Sequence, residues 1–299
     1  MNEQKEHINE QEIWFSAVDP EELAKYNKEK AFALFQQRVA ESERRPKNKP
    51  TLLHWLRYAA VIVALVSVGY FSFKSGRDNI EASLGEIVVE APQGSRSQMT
   101  LPDGTKVWLN AGSRISYSQG FGIVNRLVML IGEGYFEVAR NEQLPFCVES
   151  DNLQVKVLGT KFNFRDYPTD AEATVALMEG KVQLENLLKQ GSPIVIKPNE
   201  RAVLNKHFGG IIVKEYETDN SREWVKGNLL YDGESLKEIV NDLTRNYNVK
   251  IDVADIKLYR HHFYGEFIRQ EQPLKEVLDA LAGTGKIKYR MKNDTVIIY

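Results

Sequence analysis

The stretch Tyr58-Ala-Ala-Val-Ile-Val-Ala-Leu-Val-Ser-Val-Gly-Tyr-Phe-Ser-Phe73 divides this chain, because it contains no charged residue. Arg57 precedes it and Lys74 follows it. A helix over this stretch would extend roughly 24 Å, and the apolar residues from Leu52 to Leu56 would lengthen its apolar surface. A bilayer's hydrocarbon core measures about 30 Å, so the pattern predicts a single transmembrane helix over residues 52–74.

Two other structures fit this stretch. A buried core helix fits because the uncharged run is short, but the apolar residues occur all round the helix rather than along one stripe. A cleaved signal peptide would begin much nearer the first residue and would end in a small-residue cleavage site. A permanent membrane span is therefore the favoured interpretation.

Basic residues flanking the stretch predict its orientation. Those on the N-terminal side are Arg44, Arg45, Lys47, Lys49 and Arg57, whereas only Lys74 and Arg77 follow closely. The pattern predicts a single-pass protein of the inner membrane, with a cytoplasmic N-terminus and periplasmic C-terminal domains. A small part on one side of a membrane and a large part on the other is typical of a signal transducer.

Composition limits the classes of function. The chain has 299 residues, a net charge of −2 and a pI near 6.3, so no general basic field indicates direct nucleic-acid binding. A single cysteine, Cys147, excludes an internal disulfide framework. The larger part must therefore be stabilised by burial of apolar residues.

Residues 1–51 form the predicted cytoplasmic segment, with a basic, proline-containing linker at 44–51. Asp19-Pro20 is a typical helix start, and apolar residues recur beyond it at helical spacing. This segment is too short to bury its own core. It is either an amphipathic helix on the membrane surface or a docking helix that folds on a cytoplasmic partner. In the second case the contact candidates are Trp14, Phe15, Tyr26, Phe32 and Phe35.

Residues 75–90 form a second predicted linker, and short strands separated by turns follow over residues 91–217. Pro102-Asp103-Gly104 is one such turn signal. About a dozen strands at this spacing predict an all-β domain, either a sandwich or a solenoid-like stack of sheets. Periodicity alone leaves both alternatives open.

Residues 218–299 alternate strands and helices and predict an α+β domain of order βαββαβ. Helices are predicted over 235–247 and 273–282. They share a short repeat, Leu236-Lys-Glu-Ile239 and Leu274-Lys-Glu-Val277, which indicates two related β-α-β units. The chain closes with a predicted hairpin.

No combination of residues in the sequence indicates catalysis, a metal or a cofactor. His261 and His262 are adjacent, so in a strand they would point to opposite faces. Cys147 lies among apolar residues, as a core cysteine does. Glu133 and Glu137 are interpreted as turn and strand-face residues. The sequence favours a binding module over an enzyme.

Three blocks of sequence together resemble the FecR family. They are Gly94-Ser-Arg-Ser-Gln-Met-Thr-Leu-Pro-Asp-Gly-Thr-Lys-Val-Trp-Leu-Asn-Ala-Gly-Ser-Arg-Ile-Ser-Tyr117, Arg126-Leu-Val-Met-Leu-Ile-Gly-Glu-Gly-Tyr-Phe-Glu-Val-Ala139 and Val157-Leu-Gly-Thr-Lys-Phe-Asn-Phe164. Pro198-Asn-Glu-Arg-Ala202 resembles a later turn of the family, with Asn199 in place of the usual glycine. The C-terminal region resembles the short domain at the start of secretins and TonB-dependent transducers (STN-like).

The resemblance implies a single-span inner-membrane anti-sigma factor. Such a protein holds an extracytoplasmic-function sigma factor in the cytoplasm and receives a periplasmic signal from an outer-membrane TonB-dependent transducer, after which regulated proteolysis frees the sigma factor. Two alternatives remain open at this point. One is a membrane-tethered periplasmic binding protein or hydrolytic enzyme, and the other is a structural adaptor of an envelope secretion machine.

The dipeptide Gly159-Thr160 lies in the third block. Some FecR-family members cleave themselves at a Gly-Thr bond in this block, so the resemblance makes Gly159 and Thr160 candidates for self-cleavage through an N-to-O acyl shift. A plain β-turn is the favoured interpretation, because glycine supplies backbone freedom and threonine suits a strand.

Overall fold

The computed structural model describes residues 27–43, 58–72, 85–292 and 295–299. The chain forms two compact units, Met1–Ser72 and Phe73–Tyr299. In the first unit the described residues form helix α1 (Lys28–Glu43) and helix α2 (58–72). The side chain of Asn27 caps α1 by accepting hydrogen bonds from the amides of Glu29 and Lys30 at 3.1 and 3.3 Å.

The predicted transmembrane helix over residues 52–74 is wrong. Among the residues that the structure describes, no helix combines the length and apolar character that a membrane crossing requires. The described part of helix α2 has 15 residues. At about 1.5 Å per residue it extends roughly 22 Å, which is less than a hydrocarbon core of about 30 Å. The inner-membrane location stays a prediction that the fold does not test.

The first part of the second unit is a β body of thirteen strands. They are β1 Glu86–Ala91, β2 Ser97–Thr100, β3 Lys106–Leu109, β4 Ser113–Ser118, β5 Leu127–Glu137, β6 Phe146–Glu149, β7 Leu153–Val157, β8 Lys161–Asp166, β9 Glu172–Glu179, β10 Val182–Asn186, β11 Ile194–Ile196, β12 Glu200–Asn205 and β13 Gly210–Glu215. Strand β1 begins inside the segment predicted as a linker over 75–90.

Strand β5 belongs to two sheets. Residues 127–131 pair with β4 and β6 in the order β1-β4-β5-β6-β7-β10-β11, and residues 132–137 pair with β3 and β8 in the order β2-β3-β5-β8-β9-β12-β13. Gly132 stands at the change with φ +104°, and an added Cβ would lie 2.7 Å from the Cβ of Ser113. Only glycine fits this turn of the strand.

The predicted sandwich or solenoid-like stack is corrected to one hydrogen-bonded network of thirteen strands, in which two sheets share β5 and enclose a single core. Phe136 and Phe162 stack in this core with ring centroids 5.0 Å apart. On the other face of the same strands, Glu133 and Asn163 are also buried, at 5 and 4% exposure. Alternate residues of a strand point to opposite faces, so these two residues do not face the apolar core. Their burial means that another part of the chain covers the second face.

The C-terminal domain provides this cover. Its elements are a 3₁₀ helix Thr218–Arg222, α3 Glu223–Lys226, β14 Asn228–Ser235, α4 Leu236–Tyr247, β15 Lys250–Val253, a 3₁₀ helix Ile256–Arg260, β16 His262–Ile268, α5 Leu274–Gly283, β17 Tyr289–Lys292 and β18 Thr295–Ile298. Ser235 and Glu238 form a capping box that starts α4. Both long helices lie where the apolar spacing predicts them.

Two of the three described strand pairings in this domain join one β-α-β unit to the other. Strand β14 pairs antiparallel with β16, and β15 pairs parallel with β18, which also pairs with β17. The apolar sides of α4 and α5 pack into a core that shares no residue with the core of the β body. The domain therefore has its own apolar centre.

Candidate functional site

The sigma-contact candidates fall into two groups. Trp14, Phe15 and Tyr26 lie outside the described residues. Phe32 and Phe35 lie three residues apart on α1 and are 61 and 64% exposed, so they share one face of the helix. Large aromatic side chains on an exposed helix face are suited to bind a partner.

The Gly159-Thr160 peptide lies between β7 and β8, where the chain passes from one sheet to the other. Thr160 is only 4% exposed, and its hydroxyl donates to the carbonyl oxygen of Lys181 at 3.2 Å. The Thr160 carbonyl accepts from the amide of Val138 at 3.0 Å. The hydroxyl thus bonds to a carbonyl in this conformation.

Close packing explains the glycines around this peptide. A Cβ on Gly159 would lie 2.8 Å from the Cβ of Arg140, and a Cβ on Gly180, which has φ +97°, would lie 2.8 Å from the hydroxyl of Thr160. A groove of about 470 Å³ opens beside them, lined in part by Lys156 and Lys181. Packing gives the dipeptide a structural role, and self-cleavage stays a prediction.

A polar network occupies the covered face of the β body. The carboxylate of Glu133 accepts hydrogen bonds from the side-chain amides of Asn110 and Asn163, both at 2.9 Å. The indole of Trp224, from the C-terminal domain, donates to the Asn163 side-chain oxygen at 3.1 Å. Arg165 lies 3.8 Å from Glu133. The β body therefore supplies the partners of the buried Glu133 carboxylate, and the second domain joins the network through Asn163.

The start of the first sequence block reaches across to α4. Arg96 donates to the side-chain oxygens of Asn110 at 3.1 Å and Asn246 at 3.0 Å. The amide of Gly94 donates to the carbonyl of Arg245 at 2.7 Å, and Arg269 donates to the carbonyl of Gly94. These contacts join the β body to the C-terminal domain through backbone and side chains together.

Polar residues of the three blocks thus form the surface on which the C-terminal domain packs. The sequence interpretation missed this role and assigned Glu133 to a turn or a strand face. The available signal was local: Glu133 and Asn163 are polar residues inside β5 and β8, and Asn110 directly follows β3. A polar side chain that is buried in a strand needs a hydrogen-bond partner.

Comparison with known proteins assigns both domains to one family. Residues 87–183 match the family model described as FecR protein, and residues 228–298 match the one described as FecR, C-terminal. Crystal structures of a candidate anti-sigma factor from Parabacteroides distasonis ATCC 8503, at 1.65 and 2.50 Å resolution, are 32% identical to this chain with a TM-score of 0.67. They cover 71 and 72% of this chain, and the matches include 98 and 99% of theirs.

The chain belongs to the FecR family of anti-sigma factors. The family match supports a role as a regulator of sigma factors rather than an enzyme. No curated protein matches the chain.

The side chains of this FecR-family chain that could carry other chemistry have ordinary partners. Within the described residues, no group of histidine, cysteine and acidic side chains could hold a metal ion. His262 lies with its Nδ1 2.7 Å from the carbonyl oxygen of Gly233. Burial raises the pKa of the half-buried Cys147 thiol, which makes it a poorer nucleophile.

Proposed function

We propose that this FecR-family chain holds an extracytoplasmic-function sigma factor through α1 and receives its signal from an outer-membrane TonB-dependent transducer through the C-terminal domain. The observation that supports the sigma contact is an exposed apolar face of α1, formed by Phe32, Phe35 and Val39 at 61, 64 and 40% exposure. Residues i, i+3 and i+7 lie on one side of a helix. Burying aromatic side chains of this kind contributes a few kcal/mol at an interface.

The sigma contact is tested by capture of the host's extracytoplasmic-function sigma factors on the full-length chain. Phe32→Ala combined with Phe35→Ala should lower the affinity for the cognate sigma factor at least tenfold. Leu34, at 56% exposure, lies on the opposite side of α1, so Leu34→Ala is the matched control and should retain capture. Equal capture by all three chains would exclude this face as the contact.

The outer edge of strand β17 supports the proposed contact with the transducer. Within the described residues β17 pairs only with β18. Lys288 and Tyr299 exchange both backbone hydrogen bonds at 2.8 Å, so in this antiparallel ladder the amides of Tyr289 and Met291 point away from β18. Met291 is also 50% exposed. A free edge of this kind can accept a strand from a partner.

Met291→Pro tests this edge without removing a bond to β18, because the lost amide points outward. Met291→Ala keeps that amide and is the matched control. We expect the proline variant to weaken binding of the transducer's signalling domain at least tenfold and to abolish induction, while the alanine variant retains both. Normal binding and induction in the proline variant would show that the transducer does not pair with β17.

A further inference from the structure

Two arginines and two aspartates meet between the β body and the C-terminal domain. Arg165 and Asp170 belong to the β body, whereas Asp242 and Arg245 belong to α4. The guanidinium of Arg165 lies 2.8 Å from Asp170 and 3.0 Å from Asp242. That of Arg245 lies 2.9 Å from Asp170 and 2.6 Å from Asp242. We call these four residues the interdomain square.

The composition of the interdomain square is unusual for a buried ionic contact. The side chains of Asp170 and Arg245 are 6 and 7% exposed, and those of Asp242 and Arg165 are 19 and 21% exposed. Separating a typical buried pair leaves each charge without its partner, which strongly opposes separation. Here each domain carries one arginine and one aspartate in mutual contact. If the domains part, Arg165 keeps Asp170 and Arg245 keeps Asp242.

Cavities beside the square also favour separation of the two domains. Two small cavities, of about 80 and 90 Å³, lie beside it and are both lined by Arg165 and Asp242. Cavities of this size and polarity can hold several waters, which can take over hydrogen bonds as the contact opens. One contact opposes separation, since the Arg245 guanidinium lies 3.8 Å over the ring of Tyr167 in the β body. The apolar cores of the two domains share no residue, so separation need not open either core.

We propose that the interdomain square is a reversible latch, through which the β body docks and undocks from the C-terminal domain without unfolding either. Undocking exposes the buried face with Glu133 and Asn163 and frees the α4 face. A ligand that binds one of the two states better shifts the equilibrium between them. The regulatory part of this inference rests on the proposed transducer contact, whereas the docking equilibrium does not.

An exchange of two residues tests the latch. Asp242→Arg with Arg245→Asp keeps the net charge and keeps opposite charges at i and i+3 of α4. It places a like charge against each interdomain partner, Arg165 and Asp170. The readout on the full-length chain is hydrogen exchange of the Gly94 amide, which donates to the backbone carbonyl at position 245 across the interface.

We expect Gly94 to exchange at least tenfold faster in this variant. The amides of Phe162 in the β body and Val296 in the C-terminal core should keep wild-type protection, because both cores remain closed. Wild-type exchange at Gly94 would show that the square does not hold the domains together. Loss of protection at Val296 would show that the contact is part of the domain's own fold, and either result would overturn the proposal.

The reciprocal exchange, Arg165→Asp with Asp170→Arg, supplies a rescue. Alone it should also release Gly94, but added to the α4 exchange it restores opposite charges across the interface. We expect the fourfold variant to regain at least half of the lost protection on a logarithmic scale. Recovery will fall short of complete, since Glu133 lies 3.8 Å from Arg165 and Tyr167 would lose its guanidinium. No recovery would overturn the latch.

A sigma-dependent reporter tests the regulatory part. Without inducing signal, the α4 exchange should change reporter output at least threefold, and the fourfold variant should return it toward wild type. An unchanged reporter in a chain whose Gly94 exchanges rapidly would refute regulation by the latch. That result would leave the transducer contact to the Met291→Pro test, so the two failures are distinguishable.

Discussion

Two buried clusters of arginine with aspartate occur among the residues that the structure describes, and they differ in the number of carboxylates. Inside the β body, Arg126 is 2% exposed and donates to Asp103 at 2.7 Å. Its other strong partners are the carbonyls of Ala139 at 2.7 Å and Leu144 at 3.1 Å. In the interdomain square, each of the two arginines contacts two aspartates.

The two clusters show how one type of ion pair can serve two purposes. Arg126 ties the turn at 102–104 to the segment 139–144 within one domain, and its single carboxylate cannot be replaced. The square distributes two charges of each sign over two domains, so the Arg–Asp pair that each domain contributes is neutral by itself. The first cluster fixes a structure, and the second allows two arrangements.

The largest effect is expected from Asp103→Asn. The change leaves Arg126 buried without a counter-charge, which costs about 3–5 kcal/mol of the free energy of unfolding. Urea unfolding of the full-length chain measures it. Asp219 pairs with Arg222 on the surface at 68% exposure, so Asp219→Asn is the control and should change stability by less than about 1 kcal/mol.

Asp170→Asn should cost less, about 1.5–3 kcal/mol, the range for a hydrogen bond to a charged group. Both Arg165 and Arg245 keep Asp242 as a partner, at 3.0 and 2.6 Å, so neither becomes an unpaired charge. The same urea series measures the loss. A destabilisation as large as that of Asp103→Asn would contradict the contrast between the two clusters.

Acidification should produce a smaller difference between wild type and the same variant. Burial would raise the pKa of Asp170, but Arg165 and Arg245, which both bond to it, bring the pKa below its ordinary value of 3.8. A lowered native pKa adds stability above pH 3.8 that is lost as the pH falls through the native value. Wild type should therefore lose more stability than Asp170→Asn between pH 5 and pH 3. Parallel curves would show that Asp170 titrates normally.

The smallest effect is expected for a neutral contact. Thr160→Ala removes one hydrogen bond, to Lys181, and should cost about 1 kcal/mol. The self-cleavage hypothesis adds a second expectation, that purified wild type gives fragments of residues 1–159 and 160–299 that this variant lacks. Thr284 follows Gly283 at the end of α5, so Thr284→Ala is the control and should cleave like wild type. Only full-length wild-type protein on a denaturing gel would exclude self-cleavage.

Local sequence patterns predicted most secondary-structure elements and indicated the family. Alternating apolar residues predict the strands of the β body, and the repeat at Leu236 and Leu274 predicts α4 and α5, because burial on one side of an element leaves a period in the sequence. The transmembrane prediction failed at this same level. Hydropathy extended the apolar run over 52–74, whereas the described helix covers 58–72.

Apolar spacing in the sequence predicted α4, α5 and most strands of the β body, although it placed the start of β1 in a linker, and three sequence blocks indicated the family. The fold was needed to show that β5 belongs to two sheets and that Arg165 contacts Asp242, 77 residues away. The physical reason is that periodicity records whether a side chain faces an apolar interior, but does not record which distant partner covers it. A buried charge therefore looks like a surface charge in sequence, until the fold brings its counter-charge into contact.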